Sequence, residues 1–540
     1  MYLLLSVLWL IFEVKYILFW IYLWQLKDYH TGRFVDHFRT HKGKKLVFDI
    51  AQGIKLILLI LLFTAPALFV YTFSILFVVY FAQALLFFKG IFTNSAKKPI
   101  WTAKTVFLIL VSFAVVVSFL VWVLKIKDIL QPAALVAFDV LTPIVASAIV
   151  LLFQPVFVSV RNNTLRKARA KTEKIKGPEG YPSGLKVIAI TGSYGKTSTK
   201  EFLATILSKK FKVLKTNEHQ NSEIGVAKCI LQDLKPDHQI FIAEVGAYNK
   251  GKVKEVCAML NPKIGIVTGV NEQHLALFGS LENLLSAEGG GELASALPED
   301  GVLAVNGDNK YCLDLYKKYG KNKKIYSLSN TIIDSDIWAE EIEANREYVS
   351  FLALNKNKEM AHFRANILGK HNIQNLLGAV LVAKELGMSF EEISEACNSI
   401  IQEQGGMVLK NGKHGIYIID SSYSANPDGV FADLDYFSIF PNKKVIVMPC
   451  LIELGEESSR IHEKIGKKIG EICDLAIITS KDKFKEIEGG FNETKKEGAN
   501  CLLCDKTQDI YSTVTLFCKS GDAVLLEGRV PAGLINLLVQ

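Results

Sequence analysis

The chain has 540 residues, half of them apolar, and a formal net charge of +8. That length exceeds what one hydrophobic core serves and predicts about three domains, while the charge is a modest excess concentrated beside apolar segments, which points to membrane topology rather than nucleic acid. All nine cysteines lie beyond Val160 without framework spacing; Cys501 and Cys504 form a lone C-x-x-C, and plain buried thiols in a reducing compartment are the expected reading.

Residues 2–24, "YLLLSVLWLIFEVKYILFWIYLW", are long enough to cross a hydrocarbon core, which takes roughly 20 apolar residues. Glu13 and Lys15 interrupt the run. No small-residue cleavage site follows it and aromatic residues cluster at its end, so a retained span is expected rather than a cleaved signal peptide. Further apolar runs cover 46–66, 68–88, 105–124 and 131–158, the first of them carrying Asp49 and Lys55. Basic residues fill the first loop (Lys27, Arg33, Arg39, Lys42, Lys44, Lys45), the third (Lys97, Lys98, Lys104) and the stretch after the last run (Arg161, Arg166, Lys167, Arg169, Lys171, Lys174, Lys176). Five spans put all three stretches on one side, and the excess of lysine and arginine makes that side cytoplasmic. The expectation is a multi-pass protein of the cell membrane whose remainder faces the cytoplasm. Its transmembrane region is 1–158, followed by a basic, then Gly- and Pro-rich, linker at 159–184, a nucleotide-binding domain at 185–403 and a C-terminal domain at 404–540. No internal repeat or low-complexity tract is present.

"LKVIAI" (185–190) reads as a short buried strand. It runs into Gly192, Gly195, Lys196 and Thr197 and then into an amphipathic helix, "KEFLATILSKKF". Backbone N–H groups at a helix N-terminus cradle phosphate oxygens, a lysine neutralises β/γ charge, and a threonine hydroxyl can hold Mg²⁺. The spacing is T-G-x-x-G-K-T rather than G-x-x-x-x-G-K, but strand, loop and helix come in the required order. Two more strands end in chemistry. "QIFIAEVGA" (239–247) carries Glu244 near its carboxyl end, and "KIGIVTGVNEQH" (263–274) leads to Asn271 and His274. Ligands collect at the carboxyl ends of strands in open α/β sheets, and an acid there, beside a phosphate loop, is a natural second Mg²⁺ ligand because the ion takes oxygen donors. Taken alone, Glu244 also reads as a buried ion pair and His274 as a solvated loop imidazole.

From about 405, short apolar strands alternate with helices ("GIYIID", "KKVIVMPC", "DLAIITS", "NCLLCD", "AVLLEG"), the pattern of a parallel sheet. Asp420 closes the first of these strands. "ELGEESSRIHEKIG" offers Glu453, Ser458, Arg460 and His462, which read mostly as a solvated helix face.

Seven stretches occur in one order across residues 190–466: "TGSYGKTSTKE", "TNEHQNSEIGVA", "IAEVGAYNKGKV", "NEQHLALFGSLENL", "GKHNIQNLLGA", "DSSYSANPDG" and "LIELGEESSRIHEKIG". Together they resemble the Mur ligases, most closely the branch that adds D-alanyl-D-alanine to the UDP-muramoyl tripeptide. The resemblance implies an α/β protein with a central phosphate-loop ATPase domain and a C-terminal Rossmann-like domain, here preceded by an α-helical transmembrane region. It implies ATP and Mg²⁺ as cofactors and amide bond formation through an acyl phosphate. Carried over by position, Gly192, Ser193, Gly195, Lys196, Thr197 and Ser198 would bind the phosphates, and Lys196, Glu244 and His274 would be catalytic. Thr197, Glu244 and His274 would hold metal, Asn372 and Asn375 would face adenine, and Asp420 would reach the ribose. The two asparagines are three apart at a helix start, hence on one face, and Asn372 alone would read as a cap. Glu453 and His462 rise above the helix-face reading without an assigned role.

The sequence also departs from that pattern. Membrane spans take the place of the small domain that holds the UDP-sugar. The family's carbamylated lysine, which bridges the metals, falls on Gly290 in "SAEGGGELASALP", an expected arginine falls on Gly406 in "EQGGMVLK", and the branch's "KGS" reads Glu527, Gly528, Arg529. Three glycines in a row would cost a helix roughly 1 kcal/mol each relative to alanine. The turn is therefore expected to open, which would let Glu288 or Glu292 approach the metals; on a regular helix residues two apart point to nearly opposite faces and neither would reach.

The resulting expectation is a membrane-held, ATP-dependent acid–amino-acid ligase. It would join a carboxylate on a cell-wall (peptidoglycan) precursor, a UDP-linked or lipid-linked muramoyl peptide, to an amino acid or dipeptide amine, with membrane lipid as its neighbour and no nucleic acid partner. The alternative is a catalytically degenerate ATP-binding scaffold or regulator of cell-wall synthesis, which the glycines at 290 and 406 would suit and the retained Glu244, His274 and Asp420 would not. An ATP-driven transporter finds no signature motif or second phosphate loop.

Overall fold

Helices dominate the N-terminal third. In the computed structural model, which describes all residues except 1, 28, 48–49, 94–95, 127–128, 178–183, 219, 272–273, 321, 332–333, 424 and 540, the chain forms two units, Met1–Asn162 and Asn163–Gln540. Asp49 and most of the Gly- and Pro-rich linker lie outside the described residues.

Among the described residues, five helices are long and apolar enough to cross a membrane: Tyr2–Leu26, Gly43–Thr64, Pro66–Phe92, Ala103–Val123 and the apolar part of Leu130–Lys176. Their inward faces share one core built on Trp9, Phe12, Trp20, Trp24, Phe73 and Tyr80. Apolar side chains such as Ile57, Phe63, Val78 and Leu110 are exposed, as helices in a lipid solvent present them.

The basic segment expected as a linker is helical as far as Lys176, within the helix Gln154–Lys176. Leu165, Ala168 and Thr172 recur three and four residues apart and are buried, and Leu165 and Ala168 join a core of the second unit. That periodicity outweighs the high charge of the segment.

The second unit holds two sheets. The larger runs β2-β3-β1-β4-β5-β6-β7-β8-β9, with β1 Lys186–Thr191, β2 Val213–Lys215, β3 Ile240–Glu244, β4 Ile264–Val267, β5 Val302–Asn306, β6 Lys323–Ser327, β7 Ile337–Ala344, β8 Val349–Asn355 and β9 Met360–Ala365. It is parallel through β7, and β8 and β9 add antiparallel. β1, β3 and β4 are continuous apolar runs because helices cover both of their faces. Successive side chains point opposite ways, so Ile188 and Ile190 join a core with the helices Lys196–Leu207 and His371–Glu385, while Val187 and Ala189 meet the helices Glu223–Asp233 and Lys252–Leu260. β8 alternates buried and half-buried residues, as a strand with one covered face does.

The smaller sheet runs β10-β11-β15-β12-β13-β14, with β10 Val408–Asn411, β11 Tyr417–Ser421, β12 Lys444–Met448, β13 Leu475–Ile478, β14 Asn500–Leu503 and β15 Ala523–Glu527. All its pairs are parallel except the edge pair β10–β11. The five strands read from the sequence are the five parallel ones. No described cysteine is bonded to another.

Candidate active site

Residues 192–195 connect β1 to the helix Lys196–Leu207. Gly195 caps that helix with φ 75, and a Cβ there would collide with Asn375 Oδ1, so backbone hand and close approach both exclude a side chain. The first N–H groups of a helix have no intrahelical partner and point at the loop. Lys196 Nζ curls back onto the carbonyl oxygens of Gly192 (2.5 Å) and Ser193 (3.3 Å). Ser198 follows in the first turn of the helix.

One turn of that helix carries Thr197 to the end of β3. Thr197 Oγ1 lies 3.2 and 3.1 Å from the two carboxylate oxygens of Glu244. Asn221 Nδ2 donates to Glu244 Oε1 at 3.2 Å, and the fully buried Lys200 ammonium is 3.4 Å from Glu244 Oε2. Glu244 is thus both an ion pair and a partner of the phosphate loop. Lys200 and Asn221 were not singled out in the sequence. The signal was there for Lys200, which stands three residues after Thr197 and so shares its helix face.

A second group forms beyond β4, on the other side of β1 in the strand order. His274 is left-handed (φ 67); its Nδ1 is 3.1 Å from Glu288 Oε1 and its Nε2 is 3.6 Å from Glu453 Oε2. Ser193 Oγ donates to Glu288 Oε2 at 3.0 Å and accepts from Asn271 N at 3.3 Å. Glu288 therefore ties the imidazole to the phosphate loop. It reaches them because the helix is broken: Leu281–Ala287 ends, Gly290 takes φ +84, and Gly291–Ala296 restarts. Glu292 goes elsewhere. It accepts from Gly251 N (2.6 Å) and Lys254 N (2.8 Å) at the start of the helix Lys252–Leu260, so of the two acids considered only Glu288 approaches.

Asn375 touches the loop at Gly195, but Asn372 departs from the expected adenine contact. It is fully buried, gives its amide protons to the Leu368 (2.9 Å) and Gly405 (3.2 Å) carbonyls and accepts from Asn375 at 2.9 Å. The helix begins at His371, so Asn372 is inside it, its amide protons taken by the backbone and its oxygen by Asn375. Asp420 ends β11 half-buried, paired with Lys410 at 2.5 Å and accepting from the Ser422 hydroxyl and N–H. Burial opposes its charge, yet the bonds from Lys410 and Ser422 hold its carboxyl below the usual range. His462 is a structural residue. Its Nε2 accepts from Leu451 N at 2.9 Å, its Nδ1 lies 2.6 Å from the Ser458 carbonyl, and burial pushes its pKa down. Arg460 pairs with Glu457 on the solvated face.

Among the described residues no three His, Cys, Asp or Glu converge as a self-sufficient metal site. Thr197 and Glu244 nonetheless fit Mg²⁺, which takes hard oxygen donors and fills its remaining positions with water and substrate phosphate. His274 has carboxylates beside both ring nitrogens. The middle domain meets the C-terminal domain at this point, where Asn271 Nδ2 donates to Asp428 Oδ2 at 2.6 Å.

A phosphate loop, an acid at the end of the neighbouring strand and a second parallel-sheet domain closing on both define a two-domain protein built to hold a nucleotide's phosphates. Residues 190–383 match the Mur ligase middle domain and residues 407–530 the Mur ligase glutamate ligase domain. The chain belongs to the Mur ligase family. UDP-N-acetylmuramoyl-tripeptide–D-alanyl-D-alanine ligase of Escherichia coli K12 is 29% identical over 52% of this chain and 61% of the relative, and that of Bacillus subtilis is 28% identical over 64% and 73%. The chain thus spans about three fifths of the length of the first of these. Among solved structures, MurF from Acinetobacter baumannii matches at TM-score 0.61 and 22% identity over 70% of this chain and 79% of the other. MurF ligase from Thermotoga maritima in complex with ADP matches at TM-score 0.55 and 21% identity over 68% and 80%. These likenesses confirm the α/β fold; the helical unit is additional to it.

Proposed function

We propose that this chain is an ATP-dependent carbon–nitrogen ligase of peptidoglycan precursor synthesis, set in the cell membrane with its ligase half in the cytoplasm. The observation that carries the reading is the phosphate loop joined through Thr197 to Glu244, at a cleft that a second domain reaches. The named relatives, ligases of UDP-N-acetylmuramoyl-tripeptide and D-alanyl-D-alanine, supply the substrate class.

In this reading the N–H groups of the helix N-terminus and Lys196 bind the β- and γ-phosphates and stabilise charge as it moves between them. Mg²⁺, when bound between Thr197 and Glu244, would add positive charge at the same oxygens. A carboxylate oxygen of the precursor attacks the γ-phosphorus, the bond to the bridging oxygen breaks and ADP leaves. The amine nitrogen then attacks the acyl carbon, the carbon–oxygen bond to phosphate breaks, and phosphate departs with the amine's proton. Lys200 keeps the Glu244 carboxylate oriented, and Asp420 and Asn375 stand at the nucleotide side of the cleft.

The membrane-borne unit in place of a sugar-binding domain favours a lipid-linked muramoyl peptide as an acceptor beside the UDP-linked one, since sharing a leaflet raises effective concentration without new contacts. The test is full-length protein in lipid vesicles with ATP, Mg²⁺, D-alanyl-D-alanine and either acceptor, read by phosphate release and product mass. Lys196→Ala is expected to lower acceptor-dependent ADP release by about 100-fold or more with an unchanged circular dichroism spectrum. Wild-type protein that binds ATP yet forms no product with either acceptor would leave the scaffold reading instead.

A further inference from the structure

The helical unit carries charge in its interior. Glu13, Lys55 and Asp139 are each completely buried, and they lie near the middle of apolar runs on three different helices. Ionisable groups at such depth mark function more often than packing. Asp139 is fully satisfied: Lys55 pairs with it, Tyr80 OH donates to Oδ2 at 2.9 Å and Gln52 Nε2 to Oδ1 at 3.1 Å. The Lys55 ammonium also lies over the Phe12 and Tyr80 rings, 3.7 and 4.4 Å from their centroids, where a cation is stabilised. Lysine and aspartate therefore balance, and Glu13 is the charge left over.

The partners of Glu13 bear on its state. Thr142 Oγ1 lies 2.8 Å from Glu13 Oε2 and 3.0 Å from the Phe138 carbonyl oxygen one turn back, and a hydroxyl has one proton to give. Thr142 therefore divides one donated proton between Glu13 and that carbonyl, and satisfies Oε2 only in part. Glu13 Oε1 has no partner at all, a position in which a bare carboxylate would be far costlier than a carboxylic acid. The helix that faces Glu13 also lacks a backbone bond there: Pro143 supplies no N–H for the Asp139 carbonyl.

We propose that Glu13 is a proton-binding site inside the helical unit, holding a proton beside the fixed Lys55–Asp139 pair, so that the unit responds to protons as well as anchoring the chain. The titratable groups around it are Lys55, Tyr80 and Asp139 on the packed helices and Lys15 and Tyr16 on its own. The helix Ala103–Val123 brings Lys104 alone, committed to the Tyr29 and Phe157 rings. The proposal rests on the helical unit and is independent of the ligase reading.

A hydrophobic carbodiimide reacts with protonated carboxyls in apolar surroundings, and peptide mass mapping locates the adduct. Full-length protein in lipid vesicles at neutral pH should be labelled at Glu13. In Asp139→Asn, Glu13 becomes the counter-ion of Lys55, gives up its proton, and the adduct should fall at least tenfold. Glu13→Gln, which mimics the protonated acid, should keep the wild-type yield and melting temperature and lose an infrared carboxylic-acid carbonyl band that wild type shows. An unlabelled wild type, full labelling in Asp139→Asn, sodium protection at constant pH, or an infrared band unchanged by Glu13→Gln would each overturn the proposal. The infrared comparison decides it even if Asp139→Asn fails to fold.

Discussion

Asp420 and Glu527 end neighbouring strands, β11 and β15, and burial acts on both, with opposite outcomes. Lys410 and Ser422 hold Asp420 ionised. Glu527 is fully buried, and burial together with Asp433 pushes its pKa well up. Its Oε2 lacks a hydrogen-bond partner. A carboxyl whose folded pKa is raised contributes stability that is complete below its unfolded pKa and lost as pH rises towards the folded value. Glu527→Gln, which supplies donors without a proton to lose, is therefore expected to stabilise the protein at neutral and alkaline pH by about 1–3 kcal/mol. The gain should disappear in acid, and thermal melts of both proteins across the pH range measure it. A gain that persisted in acid would place the cause in packing rather than in protonation.

At the scale of elements, the broken helix around Gly290 shapes the second half of the site. Glu288→Gln should keep the shape of the turn and weaken the hold on His274 and Ser193. Mg²⁺-dependent turnover is expected to fall ~10–100-fold, with ATP binding changed much less and no dependence on bicarbonate in either protein; titration with a fluorescent ATP analogue separates binding from turnover. Equal losses in both would assign Glu288 to nucleotide binding. The strands were legible in the sequence because a strand buried on both faces is a continuous apolar run, and the acids at their carboxyl ends followed from topology. The phosphate loop was legible because its glycines, lysine and threonine are contiguous. The Glu288–His274–Ser193 contact could be anticipated only as one of two options, since three glycines say that a helix opens but not towards what. Asn221 and the burial of Asn372 were not legible, because each depends on which neighbour a buried polar atom finds, whereas Lys200 was legible as a residue on the helix face of Thr197. The helical course of the basic segment was hidden by its charge, although Leu165, Ala168 and Thr172 carried the period.

At the scale of the whole molecule, the cysteines report topology. All nine follow Val160, seven are buried, and Cys501 and Cys504 are partly exposed. In the orientation proposed above, a membrane-impermeant maleimide added to spheroplasts should leave the protein unlabelled. Permeabilisation should then bring label onto Cys501 and Cys504, located by mass spectrometry. Labelling from outside would reverse the orientation and remove the nucleotide supply on which the ligase reading depends.

The space around Gly290 limits what can stand at that position. A Cβ built there would overlap Val267 Cγ2 and come within 3.0 Å of Leu315 Cδ2, on a backbone with φ +84. Gly290→Ala is expected to lose about 1–2 kcal/mol to the left-handed backbone and ~1–3 kcal/mol more to overpacking, read as a lower midpoint in denaturant unfolding. Val267→Ala in the same chain should return only the second part. A lysine at 290 therefore needs both room beside Val267 and a different backbone. No single substitution supplies both, so the turn keeps its glycine unless strand and loop change together.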